Sequence, residues 1–127
     1  MNAAEEFLNI ISQGNKKITC ASIEVDWDLR DWGLGWLNRV PDEKEGDPQI
    51  NLKLGYSDED LKSFLKNLDF EYDSGFGNQV ISGFIWCDDG TWFERKEYDG
   101  SEKWELKEMP AIPSFLIPEF FEVKKGD

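Results

Sequence analysis

Residues 80–109 read VISGFIWCDDGTWFERKEYDGSEKWELKEM. Three alternating runs, VISGFIWCD, TWFERKEY and SEKWELKEM, are separated by Asp89-Gly90 and Asp99-Gly100. Asp-Gly between alternating runs is a strong short-range hairpin signal, because both residues tolerate positive φ. The stretch therefore predicts a three-stranded antiparallel meander. A two-residue loop at Asp89-Gly90 sets Trp92 opposite Cys87, Phe93 opposite Trp86 and Arg95 opposite Phe84. The same loop at Asp99-Gly100 would oppose Glu97 to Glu102, Lys96 to Lys103 and Glu94 to Glu105. Like charges directly opposite are unfavourable, so a three-residue or bulged turn is expected there, with Glu97 on Lys103 and Arg95 on Glu105.

Upstream of the meander, Ser57 is an N-cap followed by Asp58, Glu59 and Asp60 at the positive end of a helix dipole. Leu61, Phe64, Leu65 and Leu68 then follow at i, i+3, i+4, i+7, which predicts an amphipathic helix. It runs into DFEYDSGFG, where Gly75 and Gly77 mark a turn. Gln49 to Tyr56 alternates with Ile50, Leu52 and Leu54 inward, a further strand. Lys17 to Trp27 alternates as well, with Thr19, Ala21, Ile23 and Val25 on the buried side. Ala3 to Gln13 is a short helix with Ala4, Leu8 and Ile11 at helical spacing, stopping at Gly14 as its C′ residue.

Residues 28–48 mix Trp32, Trp36 and Leu37 with glycines, prolines and a run of acids, and are expected to form a long loop. The tail 110–127 is interrupted by Pro110, Pro113 and Pro118, which excludes a central strand or regular helix. An extended segment laid over apolar surface is expected, with a loose charged end from Lys124. With no repeat or linker, residues 1–127 read as a single α+β domain. Its architecture is an antiparallel sheet of about five strands, including the C-terminal meander, packed by two helices.

Lys and Arg number 14 against 27 Asp and Glu, a net charge of −13, and there is no His. Hydrophobic residues make up 39% and aromatics 14%, so the acid belongs to a folded object and not to a disordered tail. Such a field repels nucleic acid and anionic lipid and raises the encounter rate with basic proteins. Cys20 and Cys87 have no metal-binding spacing and read as two buried thiols in a reducing compartment. The acidic N-terminus is unlike a signal peptide, and no apolar run approaches the length of a membrane span. A cytoplasmic protein is expected, with no membrane or direct nucleic-acid partner.

Catalytic constellations are weak. A Ser or Cys nucleophile lacks a His base, and no phosphate-binding glycine loop, HExxH or GxSxG occurs. Asp69, Glu71, Asp73 and Gly75 resemble the start of a calcium loop, yet the glycine comes one place late and Val80 stands where a bidentate Glu is required. No cofactor or metal is expected, and the chain reads as non-enzymatic. Trp86, Trp92, Phe93, Tyr98 and Trp104 exceed what three strands need for packing. Either they are core, or they form an acid-ringed aromatic patch in which Trp92 and Trp104 anchor a protein partner.

The run Ile85 to Pro113 resembles a pattern, IWxxDGTWxxRxEYDGSExWE, of small acidic proteins from bacteriophages and mobile elements. That resemblance brings no catalytic assignment. It implies an anti-defence inhibitor, of the anti-CRISPR or anti-restriction kind, that presents carboxylates to a basic groove as a DNA duplex presents phosphates. Asp42, Glu43, Glu45, Asp58, Glu59, Asp60, Asp88 and Asp89 could play that part. The partner would be a basic nuclease or nucleic-acid-binding complex, or the toxin of an immunity pair. An alternative is a homo-oligomer that sequesters a nucleotide-like ligand through Trp86, Arg95 and Tyr98, although Arg95 has a competing use in a salt bridge to Glu94, Glu97 or Glu105.

Overall fold

The computed structural model describes residues 1–36, 46–75 and 78–118. Its helices are α1 (Ala3–Gly14), α2 (Trp27–Trp36) and α3 (Asp58–Leu68), and its strands are β1 (Ile18–Val25), β2 (Gln49–Leu52), β3 (Ile81–Cys87), β4 (Trp92–Tyr98) and β5 (Ser101–Lys107). The strands form one sheet in the order β2-β1-β3-β4-β5, every neighbour antiparallel. This is the expected α+β fold, with a third helix added.

Alternation turns Ala21, Ile23 and Val25 of β1, Ile50 and Leu52 of β2, Ile81, Ile85 and Cys87 of β3, Phe93 of β4 and Trp104 of β5 to one side, where all are buried. The helices cover that side through Phe7 of α1 and Phe64 and Leu68 of α3, with the Phe7 and Phe64 rings edge-on at 5.1 Å. Phe70 and Tyr72, in the segment after α3, complete the core. On α1 the buried face is Ala3 and Phe7, while Leu8 is exposed, so the stripe lies about one residue N-terminal of the expected one. The left-handed residue that ends this helix is Asn15 (φ 50°), not Gly14. α3 starts as expected, Ser57 and Asp60 forming a reciprocal capping box.

Four further expectations are corrected. The proposed loop over 28–48 contains helix α2, because Asp26 caps it: its side chain accepts from Leu29 N at 3.0 Å and its carbonyl from Arg30 N at 3.0 Å. Burial of Trp27, Arg30, Gly33 and Leu34 then offsets two helix-weakening glycines. β2 ends at Leu52, and Leu54 is exposed beyond a turn at Gly55, whose φ is +75°. Of the tail, residues 110–118 are described, and Ile112, Phe115 and Leu116 are exposed, so this part does not lie over apolar surface.

The two hairpins exchange their expected loops. Trp86 opposes Trp92, Ile85 opposes Phe93 and Phe84 opposes Glu94, a three-residue loop in which Gly90 takes φ +85° and Cys87 N bonds Thr91 O. β4 and β5 instead meet through a two-residue loop, Asp99 at φ 52° and Gly100 at φ 85°, in the primed geometry that suits strand twist. Glu97 therefore does face Glu102, and Lys96 faces Lys103. The repulsion is relieved because Glu102 turns into the core while Glu97 accepts from Gly100 N at the turn.

Candidate partner-binding surfaces

The described helices α1 and α3 pack on one side of the sheet, and one end of the molecule carries the exposed aromatic residues of α2. Asp28, Asp31, Trp32, Gly35 and Trp36 fall at i, i+3, i+4, i+7 and i+8 and so share one face of that helix. They line a shallow depression of about 620 Å³. Trp32 and Trp36 are 64% and 70% exposed, and their rings stack at 6.3 Å with planes 15° apart. Beside them a groove of about 490 Å³ is lined by Glu24, Asp26, Asp28, Pro48, Gln79 and Ser82 among others, so Asp28 belongs to both depressions. No Lys or Arg is among the described residues lining either one.

A buried arginine holds this surface in place. Arg30 is 1% exposed, donates Nε to the Glu71 carbonyl at 2.8 Å and pairs with Asp31 at 2.8 Å. Its guanidinium lies 5.5 Å from the Trp27 ring and 6.0 Å from that of Phe70. α2 thus hangs from the core by its inward side, and the tryptophan pair stands on its outward side.

The open sheet face is different in character. Phe84 and Trp86 on β3 stack at 5.6 Å and remain about two-fifths exposed, and Trp92 stands across from Trp86 with its indole N–H on Glu94 at 3.0 Å. Cys20, opposite Trp86, is half-buried and free, whereas Cys87 on the inner side is buried, so the two thiols face opposite sides of the sheet and only one is deep. Burial pushes the Cys87 thiol above its ordinary value.

Beneath that face sits a buried ionic network. Arg95 donates to Glu6 at 2.8 Å, to Glu102 at 2.8 Å and to the Tyr72 hydroxyl, which in turn donates to Glu6. Glu102 also accepts from the backbone N–H of Val80 and Ile81 at 2.6 and 3.0 Å. Burial raises the Glu102 carboxyl above the usual carboxylate value, against the lowering pull of those amides and of Arg95. Burial likewise raises the Tyr72 hydroxyl, keeping it protonated as a donor. The competing salt bridge expected for Arg95 thus exists, but with Glu6 and Glu102 in place of Glu94, Glu97 or Glu105.

The expected site residues are dispersed. Asp42, Glu43 and Glu45 lie outside the described residues. Asp58, Glu59 and Asp60 are exposed at the start of α3, with Asp60 engaged in the capping box. Asp88 and Asp89 are exposed at the β3–β4 turn, where Lys16 at 2.7 Å and Thr91 hold the Asp89 carboxyl well below the usual range. Both acidic groups lie toward the end of the sheet where β1 begins, as Tyr56 Oη–Ile18 O and Asp88 N–Lys17 O bonds show. α2 lies at the opposite end, where Asp26 N bonds Val80 O. Trp92 is half-buried on the open face, but Trp104 is in the core, 5.2 Å from the Arg95 guanidinium. Trp86, Arg95 and Tyr98 do not converge: Trp86 and Tyr98 are exposed, and Arg95 points to the inner side.

The α2 surface was missed because two glycines masked the helix. The signal was present in Asp26 as a cap, with Trp27, Arg30 and Leu34 at inward helical spacing and the polar and aromatic positions between them. No helix among the described residues is long and apolar enough to cross a membrane. No protein-family model, curated protein or solved structure matches this chain.

Proposed function

We propose that this chain is a non-enzymatic acidic binding protein that engages a basic, nucleic-acid-handling protein, in the manner of an anti-defence inhibitor of the anti-CRISPR or anti-restriction kind or of an immunity protein. The observation that carries the reading is the stacked, exposed Trp32–Trp36 pair bordered by Asp28 and Asp31, with further carboxylates at Glu24 and Asp26 and no basic side chain among the described lining residues. Exposed indoles offer large, rigid contact area at low entropic cost and take arginine or lysine by cation–π contact. Carboxylates around them add long-range steering of a basic partner. The net charge of −13 supports the same polarity of recognition.

The test is capture of a partner on the immobilised protein, compared with a Trp32→Ala/Trp36→Ala variant of unchanged circular dichroism and unfolding midpoint. A basic protein retained by the parent and lost by the variant is the expected result. An acidic or neutral partner, or one the variant retains equally, would contradict the reading.

A further inference from the structure

The open face of the meander carries a charge pattern that one copy of the chain leaves unresolved. Its outward residues on β4 and β5 are paired by register, and two rows are of like sign, Lys96 opposite Lys103 and then Glu94 opposite Glu105, with Trp92 opposite Lys107 beyond them. Like charges directly across strands are destabilising. Within the copy they are only partly relieved, by Lys96 and Lys107 reaching Glu105 at 3.6 and 3.0 Å. Lys103 makes no ion pair among the described residues and is exposed. These rows hold three bases and two acids, a local +1 on a chain whose total is −13. These rows therefore do not share the negative sign of the chain as a whole, which lowers the repulsion between two copies that meet there.

Beside the rows stand the stacked Phe84 and Trp86, each about two-fifths exposed, and the half-buried Trp92, which together form an apolar ridge. We infer that this face is a twofold dimer interface, with a second copy of the chain as its occupant. Laid sheet on sheet about a twofold axis that crosses the strands between the two rows, which are roughly 7 Å apart, the lysine row of each copy lies over the glutamate row of the other, and Phe84, level with the glutamate row, comes to lie beside its counterpart. An isologous contact of this kind closes at two copies and does not propagate. The three strands of the meander, of seven residues each, span roughly 14 by 23 Å. That footprint falls short of a standard specific interface, so the dimer is expected to be weak and reversible, with a dissociation constant of about a micromolar or higher.

Sedimentation equilibrium of the whole chain from about 1 to about 500 µM, a range that brackets micromolar constants, reads the prediction directly. The expected result is a monomer–dimer equilibrium whose mass stops at twice the monomer. Phe84→Ala should raise the dissociation constant at least about tenfold, since each substitution acts on both sides of the axis. Lys103→Glu, at an exposed position, should weaken the dimer without altering unfolding, and mixing it with Glu105→Lys should restore association through opposite rows. Trp36→Ala should leave the dimer unchanged. A monomer throughout the range, a mass that keeps growing with concentration, or a dimer insensitive to both Phe84→Ala and Lys103→Glu would each overturn the inference.

Discussion

Two regions of this molecule expose aromatic residues, and they differ in what surrounds them. On α2, Trp32 and Trp36 are bordered by carboxylates alone among the described lining residues. On the sheet, Phe84, Trp86 and Trp92 neighbour rows of both signs. Each region is tied to the core by a buried arginine, yet the ties are unlike. Arg30 holds α2 through a backbone carbonyl, the half-buried Asp31 and two ring faces. Arg95 holds β4 and β5 through two carboxylates that are themselves buried or nearly so. The difference teaches that the same residue type can serve as an anchor of low or high electrostatic stake: losing Arg95 strands buried charge, and losing Arg30 does so much less.

The sharpest way to break this comparison is Arg95→Met. Removing one member of a buried ion network leaves uncompensated charge, so unfolding in urea should show a loss of about 3–5 kcal/mol at neutral pH. The sign of its pH dependence follows from Glu102. Its folded value is already raised by burial, and without Arg95 it rises further. The folded variant then takes up a proton that the unfolded chain does not until lower pH. The deficit relative to the parent should therefore shrink as pH falls from about 8 to about 5, and Arg30→Met should show no such trend. A deficit that grows toward low pH would contradict the assigned network.

Gly83→Ala should come next in size. Gly83 has φ +135°, and a Cβ there would stand 2.1 Å from the Ser22 carbonyl oxygen of β1. Neither backbone can yield cheaply, so a loss of roughly 2–3 kcal/mol is expected. Hydrogen exchange should quicken in β1 and β3 and leave the α2 amides little changed, which separates the two regions dynamically.

Substitutions on α2 should act on binding and not on stability. Trp36→Ala should weaken the captured partner by about 2 kcal/mol, near thirtyfold, with the unfolding midpoint unchanged. Asp28→Asn should cost less than about 1 kcal/mol, expressed in the association rate. A larger effect on dissociation than on association for Asp28→Asn would mean that this carboxylate is buried in the complex.

The sheet was legible because its signals are local: alternation in β1, β3, β4 and β5, the Ser57 cap, and Asp-Gly at both hairpins. Loop lengths were not, because they depend on where charges end up in space. Opposed glutamates repel only if Glu97 and Glu102 both stay in solvent, whereas Glu102 is 4% exposed and bound to Arg95, Val80 and Ile81. Nothing in the spacing of Glu6, Tyr72, Arg95 and Glu102 announces that they meet. α2 was hidden for a related reason, since Arg30 and Trp27 gain their helix-stabilising contacts from Glu71 and Phe70, some forty residues away. The aromatic count in the meander was real, but the strand faces divide it: Phe93 and Trp104 are core, while Trp86 and Tyr98 are exposed.

The most direct test of the central claim is the association rate of the captured partner with immobilised protein as salt is raised from about 50 to about 500 mM. A carboxylate-bordered tryptophan surface that recruits a basic protein predicts a steep fall in that rate, made shallower by neutralising Glu24, Asp26 and Asp28 together. A rate indifferent to salt, or a slope that the triple neutralisation leaves intact, would contradict it.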